Sequence, residues 1–153
     1  MFMARYVVHV RSPKTPAEAF AYMTDLTNFV EWDPAVERAD QVQGEGPGAD
    51  AAFDVAVKGI GRSITLRYRI TSYEPPHTFV ARAQSRMLTS LDTITVRGDE
   101  VGTVVTYDAV LKLKGLLGLV DPLLGLTFNK IGDRAAQGLV AALEGERVEA
   151  AAP

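Results

Sequence analysis

The chain contains no cysteine in 153 residues. That excludes a disulfide framework, a thiolate nucleophile and any zinc site built on sulfur. Histidine is nearly as scarce, with only His9 and His77. Neither has a companion serine or carboxylate at a spacing that suggests a triad or a metal site, so both are assigned structural roles and no metal or other cofactor is expected. A cationic excess is also missing: the net charge is -3, which gives no reason to expect nucleic acid or an anionic membrane as partner. The longest apolar stretch, residues 115–128, is too short to span a bilayer and is broken by Asp121-Pro122. Residues 1–5 lack the charged-then-apolar pattern of a signal peptide, so a cytoplasmic location is the expectation. Gly44 to Gly48 follows a strand pattern but opens no helix, so it is not a phosphate-binding loop.

What is present has the balance of a soluble globule, 47% hydrophobic and 23% charged. The length suits one domain, and with no internal repeat or linker we expect a single domain over residues 1–146 and a frayed tail over 147–153. Tyr6, Val8 and Val10 alternate on one face of a first strand. Thr15-Pro16-Ala17-Glu18 is a capping box with proline at the first helical position. A short helix to about residue 24 follows, then a second one capped by Thr27 and ended by Asp33-Pro34. From residue 35 to 113 the pattern turns to strands and tight turns. Its cleanest alternation sets Ile64, Leu66, Tyr68 and Ile70 against Thr65, Arg67, Arg69 and Thr71. No crossover helix fits between these strands, so they pair antiparallel. After Asp121-Pro122 the apolar residues Leu124, Phe128, Ile131, Ala135 and Leu139 recur at three- and four-residue steps, predicting a helix of about 24 residues ending near Gly145.

The predicted class is therefore α+β, a helix-grip fold. A curved antiparallel sheet of six to seven strands wraps around a long C-terminal helix, with two short helices after the first strand. One helix does not fill the inside of a strongly curved sheet, and the remaining volume is a pocket.

Three motifs carry a family resemblance: Thr15-Pro-Ala-Glu-Ala-Phe20, the run Asp25 to Pro34 (DLTNFVEWDP), and Tyr73-Glu-Pro-Pro76 before the next strand. With the closing helix after Asp121-Pro122, the chain resembles the START/birch-pollen-allergen (SRPBCC) superfamily, within it the bacterial polyketide cyclase/dehydrase-like branch. The resemblance covers nearly the whole chain. It implies the fold but no ligand, since the superfamily includes lipid and sterol carriers, polyketide cyclases, hormone receptors and co-chaperone-like binders.

The candidate cavity-lining residues are Trp32, Phe53, Leu66, Tyr68, Phe79, Ala81, Ser90, Asp92, Tyr107, Leu124, Phe128 and Ile131. Trp32, the only tryptophan, either gates the pocket or plugs the end of the sheet. Tyr68 and Tyr107 lie on apolar strand faces, where a phenol offers one hydrogen bond to a ligand or simply completes a core. Asp92 shares a face with Leu88, Ile94 and Val96. It is a charged anchor, or it is satisfied by an arginine or a backbone donor, or the face is solvated. Ser90 adds a donor beside it. Phe79, Ala81 and Ala83 form a face of small residues that leaves space. Gly115 to Val120 reads as a lid over the mouth or as one more packed turn. Arg67, Arg69, Arg82 and Arg86 form an outward basic stripe, either solvated or facing an acidic partner.

Two functions compete. The chain binds or carries a small hydrophobic ligand, such as a lipid, sterol or aromatic polyketide, or it is a cyclase or dehydratase using the same cavity, with Tyr68, Tyr107 and Asp92 as proton-transfer candidates. An interaction module using the basic face is a third option. The expected partner is a hydrophobic small molecule, with neither nucleic acid nor stable membrane insertion, and a homodimer is compatible with the sequence.

Overall fold

β1 (Phe2–Ser12) is rich in β-branched and aromatic residues, and its alternation buries Val8, Val10 and Ser12 on one face. The computed structural model describes residues 2–58, 62–114 and 122–149, and of Phe2 and residues 122–125 the backbone only. After β1 the chain forms α1 (Pro16–Thr24), a 3-10 turn at Leu26–Asn28 and α2 (Phe29–Trp32). Six strands follow: β2 (Val36–Gln43), β3 (Ala52–Lys58), β4 (Ser63–Glu74), β5 (Thr78–Gln84), β6 (Leu88–Gly98) and β7 (Thr103–Leu113). α3 (Pro122–Ala142) and β8 (Glu146–Val148) complete the described chain.

All strand pairings are antiparallel, in one sheet of order β2-β3-β4-β5-β6-β7-β1-β8. The two short helices therefore carry the chain from β1 to the far edge of the sheet. From there β2 to β7 return strand by strand until β7 pairs with β1 over its full length, Phe2 opposite Leu113 and Ser12 opposite Thr103. Register shifts in β2–β3 at Val36/Arg38 and Gln41/Gln43, and in β4–β5 at Ile70/Ser72, bend this part of the sheet. The result is a curved sheet with α3 on its inner face, the helix-grip fold.

Capping departs from the expected pattern in one place. Thr15 does cap α1, its hydroxyl accepting from the Glu18 N–H at 3.2 Å and donating to the Glu18 carboxylate at 3.0 Å. For the next segment the cap is Asp25 rather than Thr27. The Asp25 carboxylate accepts from both the backbone N–H (3.1 Å) and the hydroxyl (2.6 Å) of Thr27, because a carboxylate two residues earlier can reach both donors.

The C-terminal segment departs further. α3 has 21 residues rather than about 24, and residues 146–148 are not frayed. They pair with β1, His9 opposite Val148 and Arg11 opposite Glu146, which covers that strand's open edge and gives eight strands instead of six or seven. The reversal turns on Glu144, whose φ of 52° lies in the left-handed region, with the Gly145 N–H donating to the Val140 carbonyl at 3.0 Å. The Ser12 hydroxyl donates to the Leu143 carbonyl at 2.7 Å and ties the helix end to β1. Glycine suits the Glu144 conformation better than glutamate. Glu144→Gly should stabilise the fold by about 1 kcal/mol, read as a higher midpoint in urea with an unchanged slope.

α3 docks closely at Gly132 and Gly138, where it presents no side chain. A Cβ on Gly132 would run into the Tyr6 ring, and one on Gly138 into the Trp32 carbonyl. Below that contact Ala135, Leu139 and Leu143 bury into a core shared with Val8, Val10 and Phe20.

Candidate functional site

α3 does not fill the inner face of the sheet along its whole length. Toward its N-terminal half a cavity of about 230 Å³ lies between the helices and strands β3, β4, β6 and β7. Its walls are mostly apolar. Val55, Ile64, Leu66 and Leu88 come from the sheet, Phe29 from α2, and Phe128 and Ile131 from α3. Ile131, 37% exposed, stands at the rim together with the exposed Lys58. At this rim the lining runs between α3 and Lys58, the last residue of β3.

Polar groups converge at one place in this lining. On β6, Ser90 and Asp92 point inward two residues apart, each flanked by a tyrosine from another strand. The Tyr68 hydroxyl on β4 lies 2.7 Å from the Ser90 hydroxyl, and either can donate. The Tyr107 hydroxyl on β7 donates to Asp92 Oδ2 at 3.2 Å. Asp92 is only 3% exposed. Among the described residues the bond from Tyr107 is its only hydrogen bond and no cation pairs with it. A second carboxyl lines the same space. Asp33 follows α2, and its Oδ1 accepts the Ala35 N–H at 2.9 Å.

Burial dominates the electrostatics here. It raises the Asp92 carboxyl to about 7, against the opposing pull of the Tyr107 hydrogen bond, and the negative Asp33 and Asp108 push it further up. Asp33 is raised for the same leading reason, partly offset by the Ala35 N–H. Burial and then the Asp92 charge hold the Tyr68 and Tyr107 phenols well above their ordinary range. The site thus holds a carboxyl that titrates near neutrality and two phenols that stay protonated.

Seven of the expected lining residues meet at this cavity: Leu66, Tyr68, Ser90, Asp92, Tyr107, Phe128 and Ile131. Four others do not line it. Phe53, Phe79 and Ala81 are completely buried in the core. The face of Phe79 and Ala81 leaves no space because both belong to the packed core, where Phe20 of α1 meets Tyr73, the β4 partner of Phe79, in a tilted contact at 5.6 Å between ring centroids. Trp32 packs edge-on against Tyr107 at 5.1 Å and beside Phe29 at 4.8 Å, plugging the sheet behind the polar cluster. The Leu124 side chain and the segment 115–120 lie outside the described residues. Asp33, expected only to end a helix, belongs to the lining. Its carboxyl does cap the following turn, but the turn also swings it inward, a tertiary consequence with no local sequence signal.

The outward stripe is less uniform than expected. Arg67 is held in a two-point pair by Asp54, at 2.7 and 2.9 Å. Arg69 and Arg82 face each other across β4 and β5, whereas Arg86 sits in the turn after β5, beyond the strand face.

No helix among the described residues is long and apolar enough to cross a membrane. No curated protein matches the chain by sequence. Solved structures resemble it closely in fold at low identity. A START superfamily protein from Mycobacterium smegmatis superposes with a TM-score of 0.72 at 12% identity, covering 93% of this chain and 97% of that one. Ginseng major latex-like protein 151 from Panax ginseng gives 0.68 at 9% identity, covering 94% and 99%. The di-domain ARO/CYC StfQ from the steffimycin biosynthetic pathway gives 0.68 at 13% identity, covering 93% of this chain and 51% of that one. The model of the family described as polyketide cyclase / dehydrase and lipid transport matches residues 3–144, and the chain belongs to that family.

Proposed function

We propose that the chain binds a small hydrophobic molecule in the cavity between its sheet and α3. The observation that carries this reading is the cavity itself: apolar walls, a rim beside α3, and convergent polar groups at Ser90 and Asp92 to orient one end of a guest. At about 230 Å³ it is smaller than the roughly 300–1,000 Å³ of pockets for drug-sized ligands. That favours a short-chain or one- to two-ring molecule over a four-ring sterol. Ala109 lines the cavity from β7, so Ala109→Phe places a ring in the binding space. The variant should lose at least ten-fold in affinity for an apolar fluorophore while its melting temperature stays within a few degrees. Undiminished uptake would place the guest elsewhere.

One observation favours a second reading, acid–base turnover of a polyketide-like substrate. Asp92, raised by burial to about 7, has the affinity for protons that suits a general acid or base at neutral pH. If cyclisation or dehydration takes place in the cavity, its rate profile carries a limb near pH 7 that disappears in Asp92→Asn. Unchanged rates in both Asp92→Asn and Tyr68→Phe remove this mechanism.

A further inference from the structure

Resting on the proposal that the cavity binds a guest, we infer that the guest carries a protonated amine, held by Asp92 at the inner end of the cavity. The inference begins with what surrounds that carboxyl. Asp92 lines the cavity and is 3% exposed. Its Oδ2 accepts from Tyr107, and Oδ1 has no hydrogen-bond partner among the described residues. Oδ1 is not sealed, since among the described residues Arg11 Nε is the one fully buried side-chain nitrogen or oxygen without a partner. Oδ1 faces the cavity, where a charged oxygen among apolar walls is costly unless a donor or cation reaches it.

Among the described residues no cation reaches that oxygen. From α2 the charged group facing the cavity is Asp33, another carboxyl; from β4 it is the neutral Tyr68, bonded to Ser90. On β7, beyond Tyr107, Asp108 lies on the opposite face, paired with Arg5 at 2.7 Å. Among the described residues the one cation in the lining, Lys58, is exposed at the rim, and the charges that act on Asp92 are those of Asp33 and Asp108, both negative. A guest with a carboxylate head would bring a third anion into this space. A guest with an ammonium head supplies the missing donor and opposite charge together, while its apolar body meets Leu66, Leu88 and Phe128. A neutral alcohol supplies the donor alone and ranks between the two.

The test holds the apolar body constant and changes only the head group. Octylamine, 1-octanol and octanoate each have about nine or ten non-hydrogen atoms, suiting a cavity with the volume of roughly eight waters. Binding is measured by calorimetry at pH 8, where the amine is protonated. Octylamine should bind at least ten-fold more tightly than octanoate and more tightly than octanol. In Asp92→Asn the octylamine-to-octanoate ratio should fall to about three or less. Octanol or octanoate binding as tightly as octylamine overturns the inference and leaves hydrophobic binding standing. So does a preference for the amine that survives in Asp92→Asn. If none of the three binds, and the apolar fluorophore does not either, the inference and the binding proposal fail together. The wild-type series decides the question even where a variant folds poorly.

Discussion

At pH 8 the Asp92→Asn variant should melt roughly 5–10 °C above the parent chain, and near pH 4 the two should nearly coincide. The expectation follows from where Asp92 sits. Its carboxyl titrates near 3.8 when free in solution and at about 7 in the fold, chiefly because the cavity removes it from water. The raised proton affinity means the folded state keeps its proton across the interval in which the unfolded chain loses it. The contribution of Asp92 to the parent's stability therefore falls as the pH rises from about 4 to about 7 and is flat above that. Three units of displacement correspond to about 4 kcal/mol at most, less whatever the structure recovers by relaxing around the charge. Asparagine has nearly the same shape, still accepts from Tyr107, and has no charge to desolvate. Thermal scans of both proteins across pH 4–8 check this. A gap that does not widen with pH, or a variant less stable at pH 8, would falsify the assignment of Asp92 as an uncompensated buried acid. The same property links stability to function: a cationic guest neutralises the carboxylate, so its binding should raise the parent's melting temperature more at pH 8 than at pH 5.

The second large effect is structural. Gly138→Ala should destabilise the fold by about 2–4 kcal/mol, even though alanine is the better helix former by about 1 kcal/mol. The added Cβ meets the Trp32 carbonyl and the backbone behind it, and neither can rotate away as a side chain could. α3 must then move off α2, which also carries Phe29 and leads into Asp33 in the cavity wall. The variant should lose roughly 5–12 °C in melting temperature and take up less apolar fluorophore. Gln137→Ala, one residue away and exposed, should stay within about 0.5 kcal/mol of the parent. If Gly138→Ala instead melts at or above the parent, the close helix contact is not a requirement of the fold.

Glycines 132 and 138 show where reading along the chain stops being informative. In the sequence they are merely poor helix formers within an amphipathic pattern. Their role appears only when Tyr6 and Trp32, more than a hundred residues earlier, come up against them. The strands were easier. Ile64, Leu66, Tyr68 and Ile70 alternate with exposed neighbours as expected, because a pleated strand with one buried face imposes a period of two on any sequence that forms it. Capping was legible at Thr15, where donor and acceptor are three residues apart. It was misread at Thr27, whose own N–H and hydroxyl both donate to the Asp25 carboxylate, so that its side chain is a donor to the cap and not the cap.

The site divides along the same line. Alternation alone put Tyr68, Ser90 and Tyr107 on apolar strand faces, since each strand's face is a local property; for Asp92 it left a solvated face as one of three readings, and burial decided among them. That Phe79 and Ala81 on an equally inward face are closed into the core, while Ser90 and Asp92 open into a cavity, depends on how the helices and strands pack together. So does the inward swing of Asp33, and so does the pairing of residues 146–148 with an edge of β1 that only the finished sheet exposes. Local pattern was enough for the elements up to α3, their order and most of the faces they bury, because periodicity and capping act over a few residues; it was not enough for β8. The tertiary structure decided where the core is left incomplete and which charges face one another there, because packing and desolvation depend on residues far apart in the chain.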